Sequence, residues 1–228
     1  MQEYLITIVF LPLFLLTVSI HEYSHGWMAQ KLGDNTAKER GRLTLNPLKH
    51  ISLWLTIFLP ATLILITNGK FAVAALKPVP INPMLFRNPK RGLTYVGIAG
   101  PLSNFFMALV FSSILRILPY SETGFIGGTR IVLGMAVLAN FILGMFNLMP
   151  VPPLDGSRIL AGLVPNKATR IILRLDKYGV IFIITLLGAL ALTTDGGVFS
   201  VIRVPLKYIW KFYGLRGLEF DNLTMGTG

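Results

Sequence analysis

No cysteine occurs anywhere in the chain, which rules out both a disulfide framework and a thiolate metal site. Charge is also scarce: 14% of residues are Asp, Glu, Lys or Arg, whereas a soluble domain carries roughly 25%. Acid is the scarcer sign, with 10 acidic residues against 21 basic ones. With 53% hydrophobic residues and a mean hydropathy of +0.65, the composition excludes an ordinary soluble domain. The basic excess does not point to nucleic acid. It sits in short loops between apolar runs, the pattern of a chain oriented in a membrane with anionic lipid. The first residues lack the basic stretch and small-residue cleavage site of a secretory signal, so the first apolar segment is expected to be retained. We find no repeat, linker or low-complexity tract, and expect one domain over residues 1–228.

What the chain has instead is a series of apolar runs, several long enough to cross a bilayer. Residues 4–30, 92–118, 131–149 and 178–192 are expected to span, giving an α-helical polytopic membrane protein with about four transmembrane helices. The 92–118 span should break near Gly100-Pro101, and its Gly, Ala and Ser residues would let helices approach closely. The run at 51–67 is barely long enough to cross and contains Pro60. Both of its flanks are basic, so it reads as a re-entrant helix followed by a short extended hairpin at 71–79; a true span is the alternative. The tail at 198–213 mixes Phe199, Trp210 and Phe212 with Arg203, Lys207 and Lys211, the pattern of an interfacial helix. The 31–49 loop is basic, whereas the 119–129 loop has no Lys or Arg. The N-terminus is therefore expected outside, and the end of the first helix on the cytoplasmic side.

Near that end stands His-Glu-Tyr-Ser-His at 21–25. His21 and His25 are about 40° apart around a helix and one turn apart along it, so both imidazoles can converge on one metal ion. Glu22 points about 100° away from His21, where it can reach a water activated by the metal. A zinc hydrolase needs this division of labour. The plain alternative is two surface histidines, but ionisable groups within an apolar helix demand a partner.

A catalytic zinc takes three protein ligands, so a third must come from elsewhere. Eight of the ten acidic residues lie in loops or at segment ends, leaving Glu22 and Asp155. Asp155 follows Pro150, Pro152 and Pro153, which should loosen the helix and turn the carboxylate toward a polar cavity. Its other reading is an N-cap for a helix at 156–164. His50, the only other histidine, could be a nitrogen ligand, but its basic loop favours a solvated or interfacial side chain. Asn104, Asn140 and Asn147 are amides within spans. They either glue helices together or hydrogen-bond the backbone of an unwound substrate.

Taken together, His-Glu-Tyr-Ser-His, Gly41-Arg-Leu-Thr-Leu-Asn-Pro-Leu-Lys-His50, Lys77-Pro-Val-Pro-Ile-Asn-Pro, Gly100-Pro-Leu-Ser-Asn104 and Asn147-Leu-Met-Pro-Val-Pro-Pro-Leu-Asp155-Gly closely resemble the site-2 protease family of intramembrane zinc metalloproteases, in its compact prokaryotic branch. The likeness covers residues 20–159. It departs from the branch at Ser52, where Asp is usual, and at Ala74-Ala75-Leu76, where a Gly-Trp pair usually stands. The resemblance implies one Zn2+ held by His21, His25 and Asp155, with Glu22 as catalytic base. Asn104 and Asn147 would lie near the site and help hold substrate, and a re-entrant β-hairpin would follow the first catalytic helix. It also implies a multi-pass protein of a prokaryotic cytoplasmic membrane that cuts the transmembrane helix of another protein, commonly in regulated proteolysis. The expected catalytic core is 4–164, with an additional helix and amphipathic tail at 165–228. An edge strand at 71–79 could pair with the unwound substrate by β-augmentation. The rival readings are a catalytically silent membrane binding or regulatory protein and a metal or proton carrier.

Overall fold

The structure, a computed structural model, describes residues 2–66, 76–121 and 123–193. Among the described residues it is helical, without strands. The longest helices are α1 (Gln2–Lys31), α4 (Pro89–Ile117), α5 (Gly124–Asn147) and α7 (Asn166–Thr193). Shorter ones are α2 (Thr36–Glu39), α3 (Leu59–Ile66) and α6 (Asp155–Leu163). Among the described residues, three helices are long and apolar enough to cross a membrane: Ile8–Lys31 within α1, then α4 and α5.

Polarity is distributed as it should be for a lipid-facing bundle. Leu11, Leu102, Phe106, Leu109 and Ile117 are exposed, whereas Thr17, Ser19, His21, His25, Asn104 and Asn140 are buried. In water this arrangement would waste apolar burial and strand polar groups; in hydrocarbon it satisfies both. α4 is the central helix and packs against α1, α5 and α6. Ala108, Phe111 and Leu115 on α4 meet Leu133, Ala136 and Val137 on α5, with Phe10 and Leu13 of α1 closing the cluster. A second cluster joins Ala29 of α1 to Val96 of α4 through Phe86 of the preceding loop.

Asn-Pro pairs start three helical segments. The side chains of Asn46, Asn82 and Asn88 accept from the main-chain N–H of Leu48, Met84 and Arg91, and Pro47, Pro83 and Pro89 follow them. A short polar acceptor before a proline of fixed φ is a strong helix start. At the other end of α4, buried Arg130 of α5 reaches the carbonyls of Leu115 at 3.3 Å and Leu118 at 3.1 Å, stacked over the Tyr120 ring. Its charge satisfies acceptors that the helix end leaves open.

Several expectations change. α4 runs unbroken through Pro101, because a proline costs a membrane helix one hydrogen bond and the flanking turns are held by packing. α5 begins at Gly124 rather than 131. α7 begins at Asn166, just after Pro165 and well before the span expected at 178–192, so Arg170, Arg174 and Lys177 lie on its N-terminal turns. The 51–67 run forms six residues of π-helix (Leu53–Phe58) and the eight of α3, shorter than the roughly 20 residues a span needs. Residues 76–80 are irregular. Residues 71–75 of the expected hairpin and the tail at 198–213 lie outside the described residues.

α6 lies across α4 at Gly162. A Cβ there would stand 2.5 Å from the Lys90 carbonyl oxygen, against backbone that cannot yield. Gly162→Ala should therefore destabilise the fold by about 1–3 kcal/mol, read as a lowered thermal midpoint in detergent.

Candidate metal centre and catalytic site

α1 delivers His21 and His25 to one side of the bundle, and the start of α6 delivers Asp155 to the same point. All three are buried, with relative exposures of 6%, 3% and 5%. His25 Nε2 lies 3.0 Å from His21 Nε2 and 3.1 Å from Asp155 Oδ2, and His21 Nε2 lies 3.2 Å from the same oxygen. On the other side of its ring, His25 Nδ1 donates to the Val96 carbonyl of α4 at 2.7 Å. A carbonyl can only accept, so this bond fixes the proton on Nδ1 and leaves the Nε2 lone pair facing His21 and Asp155 in the neutral ring.

Asp155 is the first residue of α6, next to the N-cap Leu154, and its carboxylate meets His21, His25 and Arg158. One of its oxygens faces the imidazoles, and the other lies 3.5 Å from Arg158 Nη1, one turn further on. Burial works against its charged form. Were the imidazoles protonated, the His25 charge and hydrogen bonds from His21 and His25 would outweigh this and hold the carboxyl below the usual carboxylate range. The anionic form is the one a metal ligand needs.

The donor set fits zinc. Tetrahedral ligands about 2.0–2.1 Å from zinc stand about 3.3 Å from one another, close to the edges of the His21–His25–Asp155 triangle. These side chains form a group of ligand atoms all within 4.8 Å of one another. Two imidazole lone pairs and a carboxylate at such separations repel unless a cation lies among them.

Glu22 is half-buried. Its Oε2 accepts the Val79 N–H at 2.8 Å. A cavity of about 110 Å³ joins the parts, lined by His21, His25, Asp155, Glu22, Val79, Asn147 and Arg158 among others. Asn104 and Asn140 are not among its lining residues. Asn104 is buried in α4, one turn beyond Gly100, with neither amide atom partnered, and Asn140 donates to Ala136 of its own helix.

His50 requires a correction. It is fully buried rather than solvated, its Nε2 bonds the Thr44 carbonyl at 2.9 Å, and it stands apart from the metal-binding group. The basic neighbours suggested solvent, but the loop folds over and uses the ring as its own core. Asp34, a loop acid in sequence, is also fully buried and accepts the Asn82 N–H at 2.6 Å.

Comparison with known proteins supplies the family. The chain is 35% identical over 176 residues to YwhC of Bacillus subtilis, provisionally named a zinc metalloprotease, covering 75% of this chain and 76% of that protein. The chain belongs to peptidase family M50. The model for Peptidase family M50 itself matches residues 112–190, which include Asp155 but not His21 or His25. Rip2 of Mycobacterium tuberculosis, named in the same provisional way, is 27% identical over 188 residues, with 82% of this chain and 69% of that protein covered. Zinc metalloprotease MJ0392 of Methanocaldococcus jannaschii is 34% identical over 92 residues, with 40% and 26% covered. No solved structure gives a significant match.

Three parts of this M50 site escaped the sequence reading. Arg158 lines the cavity three residues after Asp155, a helical spacing that could have flagged it. The Val96 carbonyl and Val79 amide carried no such signal. A further limit on the site is Gly100 of α4, where a Cβ would lie 2.5 Å from His25 Cε1 and 2.6 Å from His21 Cε1. Gly100→Ala should push the imidazoles apart while leaving helix content intact. Metal analysis of the purified variant should show bound zinc falling well below one per chain, with an unchanged far-ultraviolet circular dichroism spectrum.

Proposed function

We propose that this M50 chain is an intramembrane zinc metalloendopeptidase that hydrolyses peptide bonds within transmembrane segments of other membrane proteins, in regulated proteolysis. His21, His25 and Asp155 hold the zinc, and Glu22 is the general base and acid. The observation that carries this reading is the convergence of two imidazoles and a carboxylate on one cavity that Glu22 also lines.

Zinc supplies Lewis acidity, polarising the scissile carbonyl and making water acidic enough to attack near neutral pH. The rest falls to the chain. Val96 fixes the tautomer and orientation of His25. The Val79 amide holds one Glu22 oxygen, and the other takes the proton from the attacking water and returns it to the leaving amine. Asn147 on the cavity wall hydrogen-bonds the substrate backbone once it unwinds. Asn104 and Asn140, whose amides keep unmet hydrogen-bonding capacity, assist deeper in the bundle.

The basic loops place the N-terminus outside and the site toward the cytoplasm, from which water reaches it. Residues 51–67 are re-entrant and 178–192 form a fourth span. One domain covers 1–228, with its catalytic core at 4–164. Substrate pairing along 77–80 is constrained: Pro78 and Pro80 have no N–H, Lys77 donates to His50 and Val79 donates to Glu22. A substrate strand there can meet carbonyls only.

Glu22→Gln should lower cleavage of a reconstituted transmembrane test peptide by about 10²–10⁴-fold while zinc stays near one per chain. Retained cleavage, or zinc lost together with it, would remove Glu22 from the role. Asp155→Asn and His21→Ala should lose the zinc itself. Chelation should abolish wild-type cleavage, and added Zn2+ should restore it.

A further inference from the structure

We propose that Arg42 is a positioning residue for Glu22, acting through the main chain of residues 77–79. The inference rests on the reading of Glu22 as the base and adds the means by which that base is held.

The link can be followed bond by bond. Glu22 Oε2 takes the Val79 N–H at 2.8 Å, and Val79 is buried. Between the two prolines Val79 has the one amide hydrogen available, so the register of this short segment decides whether Glu22 is held. Two bonds set that register, both from the loop at 42–50. The Lys77 N–H donates to the His50 carbonyl at 2.8 Å. Arg42 Nη2 donates to the Lys77 carbonyl at 2.6 Å and lies 3.5 Å from that of Pro78. Arg42 Nη1 donates to the Lys49 carbonyl, so one guanidinium bridges the two strands of chain. His50 makes the other side of the clamp rigid, being fully buried and bonded to the Thr44 carbonyl.

The choice of side chain follows from this geometry. Two carbonyls on separate segments call for a planar donor with several fixed N–H directions, which arginine has and lysine lacks. Neither carbonyl belongs to a zinc-facing group, and Arg42 is absent from the cavity lining. Its loss should therefore act on the proton-transfer residue and spare the metal ligands. A residue that only supported the fold would affect both.

The test uses the full chain reconstituted in liposomes, as wild type, Arg42→Ala, Arg42→Lys and Glu22→Gln. Four quantities are measured: kcat and KM on a transmembrane test peptide, zinc per chain, and hydrogen exchange of the Val79 amide. Arg42→Ala should lower kcat about tenfold or more, the scale of one hydrogen bond to a charged group, with KM within about twofold. Zinc should remain near one per chain, and Val79 exchange should quicken. Arg42→Lys should be intermediate in kcat and exchange. The proposal is overturned by wild-type kcat in Arg42→Ala, by zinc lost in parallel with kcat, or by Val79 exchange that does not change. Should Arg42→Ala not fold, Arg42→Lys decides: wild-type kcat and exchange overturn the proposal, and intermediate values with full zinc support it. Active Glu22→Gln would instead overturn the protease reading itself, so the two failures are distinguishable.

Discussion

Where α1 crosses α4, the absence of one methyl group at Gly100 lets two imidazoles lie directly against helical backbone. That approach brings the Val96 carbonyl within 2.7 Å of His25 Nδ1, and the bond turns the ring so that its other nitrogen faces Asp155. If α1 and α4 stood farther apart, the histidines would remain on one helix face but lose their common direction. The packing and the chemistry are thus set by the same contact. A membrane interior makes the constraint stricter, since a polar group displaced from its partner there is costly to leave unpaired.

Asp155 depends on the same arrangement from the opposite side. The segment after α5 carries three prolines, and α6 begins only at Asp155. A carboxylate at the first position of a helix benefits from the positive end of the helix dipole and from the open N–H groups nearby. Here the helix supports the charge without claiming the side chain, which is free to face the histidines. Arg158, one turn on, balances the remaining oxygen and keeps two acidic side chains tolerable in one small cavity.

Much of this could be read in advance. The i, i+4 histidines needed only helix geometry, and the carboxylate followed from a chain with so few acids that elimination was possible. The likeness to site-2 proteases agreed with both. Illegible were the groups that every residue possesses: the Val96 carbonyl and the Val79 N–H are backbone atoms, and only folding selects them from hundreds of equivalents. His50 misled because neighbouring lysine suggests solvent, although burial of a ring depends on where its loop turns. Pro101 misled in the other direction, since one missing hydrogen bond in a well-packed membrane helix need not interrupt it. The basic N-terminal turns of α7 fell outside the span expected at 178–192 because charge marks a boundary of the apolar stretch, not the boundary of the helix.

The short proline-interrupted segment beside Glu22 also has a bearing on how the molecule coexists with its neighbours. Exposed strand edges are hazardous because they present alternating lone pairs and amide hydrogens that any extended polypeptide can copy. Residues 77–80 present only half of that alphabet: two amide hydrogens were never there, and two are already spent inside the protein. A passing chain that unravels nearby cannot zip onto this stretch indiscriminately, so a hydrolytic centre can sit beside extended backbone without becoming a seed for aggregation.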